Sequence, residues 1–206
     1  VLIQTNKHGF SNDRWEKIIE EYKDFNINFE VQYCSKKTDL IKLSEEANII
    51  FCLGQTNAIK WDRASLNMVY FGLNGIEFTE NIKFNSITKI FNVRGFASEP
   101  IAEYVLATTL LMNRFVHSSL INQSRKTWNQ ESVICKPHIP IKSKVIGVMG
   151  VGKIGAVIVE KFSKLGCCIL AYDSTINKDL KEITEWFTPP KLDEFLKKTD
   201  VLVISL

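Results

Sequence analysis

The sequence predicts an α/β protein of two lobes, each built on a parallel sheet, and three observations predict it. Apolar runs of strand length alternate with helical patterns through the first half of the chain. A long stretch of helically spaced apolar residues beginning near Ser98 then interrupts that rhythm. Beyond it, Lys144 to Asp173 (KVIGVMGVGKIGAVIVEKFSKLGCCILAYD) reads as strand, glycine turn, helix, strand and terminal acid in one unit.

The elements follow in order. Val1 to Gln4 is a short strand, Asp13 to Tyr22 a helix, Asn28 to Tyr33 a strand and Asp39 to Glu46 a helix. Strands are expected at Asn48 to Leu53, Asn67 to Gly72 and Ile87 to Asn92. From Glu99 to about Thr127 the residues Ile101, Val105, Leu106, Leu110, Leu111 and Phe115 recur at helical spacing, which predicts one long helix bridging the lobes. Pro100 suits its first turn and Ser98 is the expected N-cap. The lobes are placed at 1–98 and 99–206. In the second, strands are expected at Lys144 to Met149, Cys167 to Tyr172, Glu185 to Phe187 and Asp200 to Leu206.

Within that lobe Gly150, Gly152 and Gly155 form GxGxxG directly after the apolar run Val145 to Met149. Gly150 allows the tight turn, Gly152 removes a Cβ from the path of a pyrophosphate, and Gly155 lets the new helix pack closely. The free N–H groups of that helix and its positive dipole end then face an anion. Asp173, eighteen residues after Gly155, is placed to accept hydrogen bonds from both adenosine ribose hydroxyls and to repel a 2′-phosphate. These residues imply a dinucleotide site that favours NAD over NADP, although Lys178 follows Asp173 closely.

Composition excludes several other classes. The 26 Lys and Arg against 23 Asp and Glu leave no basic block, so a nucleic-acid partner is not implied. No apolar run reaches the roughly eighteen residues that suggest a membrane span, and no signal peptide is evident, so the expectation is a soluble chain. Five cysteines show neither a disulfide framework nor metal-ligand spacing, and the neighbours Cys167 and Cys168 point to opposite faces of their strand. Reduced core thiols, a cytoplasmic setting and no metal are therefore expected.

The order FGLNGIEF (Phe71 to Phe78), NVRGFASEPIAEYVLATTLLMNR (Asn92 to Arg114), Trp128, GVMGVGKIG and AYD resembles the D-isomer-specific 2-hydroxyacid dehydrogenase family from about Asn48 onward. The resemblance implies a flavodoxin-like substrate lobe followed by a Rossmann dinucleotide-binding domain, with the reaction in the cleft between them. It implies an NAD-dependent oxidoreductase interconverting a small 2-hydroxy acid and its 2-oxo acid by hydride transfer. By this resemblance, backbone amides of Leu73, Asn74 and Gly75 take the substrate carboxylate, with Asn74 also near the cofactor. The amides of Lys153 and Ile154 take the pyrophosphate. Lys153 stands where the family usually has arginine, so it serves the phosphate as a point charge rather than a fork. Arg94 either meets an anionic substrate or is a solvated loop residue, and Glu103 is read as structural, at the start of the long helix. His8, His117 and His138 do not match the family's catalytic position.

The family's catalytic histidine, its acid partner and its carboxylate-gripping arginine are expected downstream of Leu206, so no catalytic residue is assigned within the chain. The expected parent is therefore a longer enzyme, and the 206 residues alone are expected to be inactive. A noncatalytic NAD-binding protein of the same fold, such as a corepressor-like sensor, is the other reading. The resemblance further implies a homodimer formed through the NAD-binding domain. No motif here fixes the side-chain contacts that separate one 2-hydroxy acid from another.

Overall fold

A computed structural model describes residues 1–4, 16–17, 20, 30–34, 36–52, 59–73, 75, 77–129 and 139–206. The chain divides into two compact units, Val1–Phe96 and Ala97–Leu206.

In the first unit β1 (Leu2–Gln4), β2 (Gln32–Cys34), α1 (Lys37–Glu46), β3 (Ile49–Cys52), β4 (Met68–Phe71) and β5 (Lys89–Asn92) build a parallel sheet in the order β2-β1-β3-β4-β5. This is the flavodoxin-like order expected of the substrate lobe. The expected helix at Asp13 to Tyr22 lies outside the described residues except for Glu16, Lys17 and Glu20, which are helical. The two-residue period of β3 and β4 sends Ile50, Cys52, Val69 and Phe71 into the core, where each is fully buried. Trp61 closes one side, its ring centroid 5.8 Å from Phe71 and 5.6 Å from Phe84. Arg63 ties α1 to the sheet by donating to the carbonyls of Glu45 at 2.7 Å and Ala47 at 3.2 Å, groups that a helix C-terminus leaves unpaired.

In the second unit α2 (Ser98–Asn113) and α3 (Val116–Ser124) precede β6 (Val145–Met149), α4 (Lys153–Lys164), β7 (Cys168–Tyr172), β8 (Glu185–Phe187), α5 (Leu192–Lys198) and β9 (Val201–Ile204). The sheet is parallel throughout, in the order β8-β7-β6-β9. That matches the first four positions of the Rossmann order, with the topological switch between β6 and β9. One core cluster joins Ala102 of α2 and Ile158, Val159 and Phe162 of α4 to Ile146 and Val148, while Leu170, Phe187 and Phe195 form the other. Mid-strand Gly147 is required by packing, because a Cβ there would run into Thr199 and the Phe195 ring.

Three expectations are corrected. The bridge helix is two helices, because Phe115 adopts φ 56° and ends the α2 hydrogen-bond ladder between Asn113 and Val116. Its apolar spacing continues across the break, so periodicity alone does not reveal it. The N-cap is Ala97, which leaves Ser98 as the first helical residue with its hydroxyl buried and without a partner among the described residues. The last strand is shorter than Asp200 to Leu206, since Asp200 turns its carboxylate back to accept the Val145 N–H at 2.8 Å.

Cys34, Cys167 and Cys168 are free thiols, and burial pushes those of Cys34 and Cys167 up from the ordinary thiol range. Cys167 joins one core cluster and Cys168 packs against the other, as the alternation of a strand requires. No helix among the described residues is long and apolar enough to cross a membrane.

Candidate functional site

The register of the second sheet assembles the dinucleotide candidates. Met149 pairs with Tyr172 on β7 and with Ile204 on β9. The next residue of each strand, Gly150, Asp173 and Ser205, therefore stands at one level along the carboxyl edge, at the topological switch where open α/β sheets take ligands.

Gly150 takes φ 84°, and a Cβ on it would lie 2.6 Å from the Ser205 carbonyl oxygen, so only glycine fits. Gly155, in the first turn of α4, is held against the turn so closely that a Cβ would collide with the Gly150 carbonyl. Gly152 is different. It is exposed, its φ of −76° suits any residue, and a Cβ there would meet no atom of the described residues within 4 Å. Protein packing gives no reason for glycine at this position, whereas a backbone-hugging ligand does.

The same residue is the N-cap of α4 and carries no side-chain cap, so the amides of Lys153, Ile154 and Gly155 begin the helix without intrahelical acceptors. They provide an anion cradle at the positive end of a twelve-residue helix. Lys153 is exposed beside it, Ile154 is half-buried against the core, and Lys161 and Lys164 sit in the last turn, where cations suit the dipole. These groups fit a dinucleotide pyrophosphate.

Asp173 is already engaged. Its Oδ2 accepts the Val151 N–H at 2.7 Å, while Oδ1 accepts the Thr175 N–H at 3.1 Å, the Ser174 hydroxyl at 3.3 Å and the Thr175 hydroxyl at 3.4 Å. Burial raises its pKa, but these four donors outweigh that effect and hold the carboxyl below the ordinary aspartate range. A carboxylate offers about four acceptor sites. Oδ1 is thus crowded by three donors, whereas Oδ2 takes one and keeps a site for an incoming hydroxyl.

The peptide group joining Gly150 and Val151 is held at both ends. Its N–H donates to Asp173 on the β7 side, and its carbonyl accepts the Ser205 hydroxyl at 2.7 Å on the β9 side. The Gly150 N–H donates to Tyr172 at 2.9 Å and the Ser205 N–H to Met149 at 2.8 Å, which ties the turn into both neighbouring strands. Sequence reading missed Ser205 and Val151. Ser205 lies 55 residues from Gly150 in the chain, and only the strand order brings them together.

In the first unit Phe71 pairs with Asn92, so Leu73 and Arg94 each stand two residues beyond paired positions at neighbouring strand ends. Leu73 is half-buried, and Gly75 and Arg94 are exposed. Asn74 lies outside the described residues. Gly95 takes φ 90°, which turns the chain immediately after Arg94. The Arg94 guanidinium has no ion-pair partner among the described residues. Glu103 faces Lys161 of α4 at 3.9 Å, alongside the closer pair Lys161–Glu99 at 2.8 Å, and these contacts join α2 to α4. His117 lies on α3 with Nε2 3.2 Å from the Ser118 hydroxyl, and His8 and His138 are outside the described residues.

Residues 106–206 match the family described as D-isomer specific 2-hydroxyacid dehydrogenase, NAD binding domain. The 2-hydroxyacid dehydrogenase homolog 1 of Schizosaccharomyces pombe is 26% identical over 206 residues, covering 95% of this chain and 58% of its own length. The D-lactate dehydrogenase of Staphylococcus aureus is 32% identical over 119 residues, 57% of this chain and 34% of the relative. A crystal structure of a D-isomer specific 2-hydroxyacid dehydrogenase family protein from Aeromonas salmonicida superposes with a TM-score of 0.81 at 19% identity, covering 100% of this chain and 63% of that one. The last likeness concerns the fold alone. The chain thus spans about three fifths of the relatives that it matches over most of its own length.

Proposed function

Because the chain belongs to the D-isomer-specific 2-hydroxyacid dehydrogenase family, we propose that the protein is an NAD-dependent oxidoreductase that interconverts a small D-2-hydroxy acid and its 2-oxo acid. The observation that carries this reading is Gly152, a glycine with open space before it at the start of an uncapped helix, beside an acid whose carboxylate is held ionised. When bound, the nicotinamide supplies or accepts the hydride.

The chain's own residues bind and orient. The amides of Lys153 and Ile154, with the close approach that Gly150, Gly152 and Gly155 permit, hold the pyrophosphate, and Lys153 adds a compact positive charge. Asp173 takes the adenosine ribose hydroxyls and disfavours a 2′-phosphate, so NAD is preferred over NADP. Leu73, Asn74 and Gly75 hold the substrate carboxylate through backbone amides, and Asn74 also approaches the cofactor. Arg94, one strand over, offers a charge to an anionic substrate. In this reading 1–98 is the substrate lobe and 99–206 the NAD-binding domain, and the protein works in the cytoplasm.

Exposed Tyr104, Met112, Val116, Leu120, Ile121 and Trp128 on and after α2 and α3 supply the surface for a homodimer. The test of function is NADH consumption by the full-length natural polypeptide with pyruvate, glyoxylate, hydroxypyruvate and phosphohydroxypyruvate. Turnover of any of them supports the enzyme. NADH binding without turnover supports the noncatalytic NAD-binding reading, and absence of NADH binding overturns both.

A further inference from the structure

We infer that Ser205 is a positioning residue of the phosphate-binding turn, acting through the Gly150–Val151 peptide group; this rests on the NAD reading above. The C=O and N–H of a trans peptide point in opposite directions. Here both ends of one such group are anchored, the oxygen by the Ser205 hydroxyl at 2.7 Å and the N–H by Asp173 Oδ2 at 2.7 Å. The anchors come from the strands on either side of β6, so the peptide lies as a crossbar over the carboxyl edge of the sheet.

The crossbar needs fixing because of the residue that precedes it. Gly150 sits at φ 84° without a side chain, and a peptide next to glycine rotates about its flanking bonds more easily than one between bulky residues. Rotation by half a turn would put the Gly150 oxygen against the Asp173 carboxylate, two acceptors facing each other, and would withdraw it from Ser205. Rotation would also move Val151 and Gly152, which lead directly into the amides of Lys153 and Ile154. Ser205 therefore helps set, before a dinucleotide arrives, the direction in which those amides point. The contact of Gly155 against the Gly150 carbonyl works in the same sense, because the oxygen fits only where a Cβ is absent.

Ser205 touches neither phosphate nor ribose in this role, which separates it from Asp173. Its loss should leave the anion cradle built but less well aimed.

The experiment compares wild type, Ser205→Ala and Ser205→Thr in the full-length polypeptide, reading the NADH dissociation constant by fluorescence titration and the Val151 amide exchange rate without ligand. Ser205→Ala is expected to weaken NADH about three- to ten-fold, the range of one lost neutral hydrogen bond, and to speed Val151 exchange. Ser205→Thr, which keeps a hydroxyl, is expected to restore both. Unchanged NADH affinity or unchanged Val151 exchange in Ser205→Ala overturns the inference, as does a threonine variant that behaves like alanine while its exchange rate is that of wild type. A wild-type protein that binds no NADH instead removes the cofactor reading, and that outcome is recognised before any Ser205 variant is compared.

Discussion

Asp173 anchors the Val151 and Thr175 amides and, in the proposed reading, also takes the adenosine ribose, two roles that separate by pH and by substitution. Its carboxyl titrates below the ordinary aspartate range in the folded chain, so its contribution to stability is complete above the unfolded value and disappears as pH falls through the depressed folded value. Asp173→Asn should therefore be less stable than wild type near neutrality, with the gap closing in acid; urea titrations at both ends of that range measure it. Asp173→Ala should weaken NADH about ten-fold or more, since hydrogen bonds to a charged acceptor are lost. Among the glycines the consequences diverge. Gly152→Val should fold like wild type, because no atom of the described residues lies within 4 Å of a Cβ there, and should lose NADH binding by steric block. Gly150→Ala should instead cost about 1–3 kcal/mol of stability, seen as a lower unfolding midpoint, through backbone strain and the clash with Ser205. The glycine spacing and the acid at a strand tip were legible as a pattern because strand, turn, helix and strand run consecutively in the chain, whereas the Asp173–Val151 bond across 22 residues was not. The Ser205 anchor was not, because parallel pairing across a 55-residue separation leaves no local trace.

At the scale of elements, α4 shows how pattern becomes packing. Gly155, Ile158, Val159 and Phe162 repeat at helical spacing and are all buried, and Phe162 is fully excluded from solvent. Phe162→Ala should cost about 3–5 kcal/mol, measured by denaturant unfolding, because the cavity lies between helix and sheet with little room to collapse. The strands of both sheets were readable from their apolar runs, whereas α5 was not assigned from sequence. With seven residues and only Phe195 buried, it carries too few turns to display a period, and its place is set by the sheet beneath it. The break at Phe115 escaped for the complementary reason, since a single left-handed residue changes direction without changing the apolar spacing.

For the whole molecule, each unit has its own core, one around Phe71 and Trp61 and one built on β6 and α4. Calorimetry of the full-length protein should resolve two transitions, and NADH at about a hundred times its dissociation constant should stabilise only the one belonging to Ala97–Leu206, by roughly 2.7 kcal/mol. A single transition that NADH shifts as a whole would show that the two cores unfold together. Replacing Tyr104 and Leu120, 71% and 54% exposed, with glutamate should give a monomer by sedimentation if α2 and α3 form the subunit interface.

The adjacent thiols of Cys167 and Cys168 place a reporter on either side of a single strand. Half-buried Cys168 takes a thiol reagent readily, whereas buried Cys167 takes it only as its face of the sheet opens, so fragment masses that place the label on one residue or the other would time that opening against an internal standard one residue away.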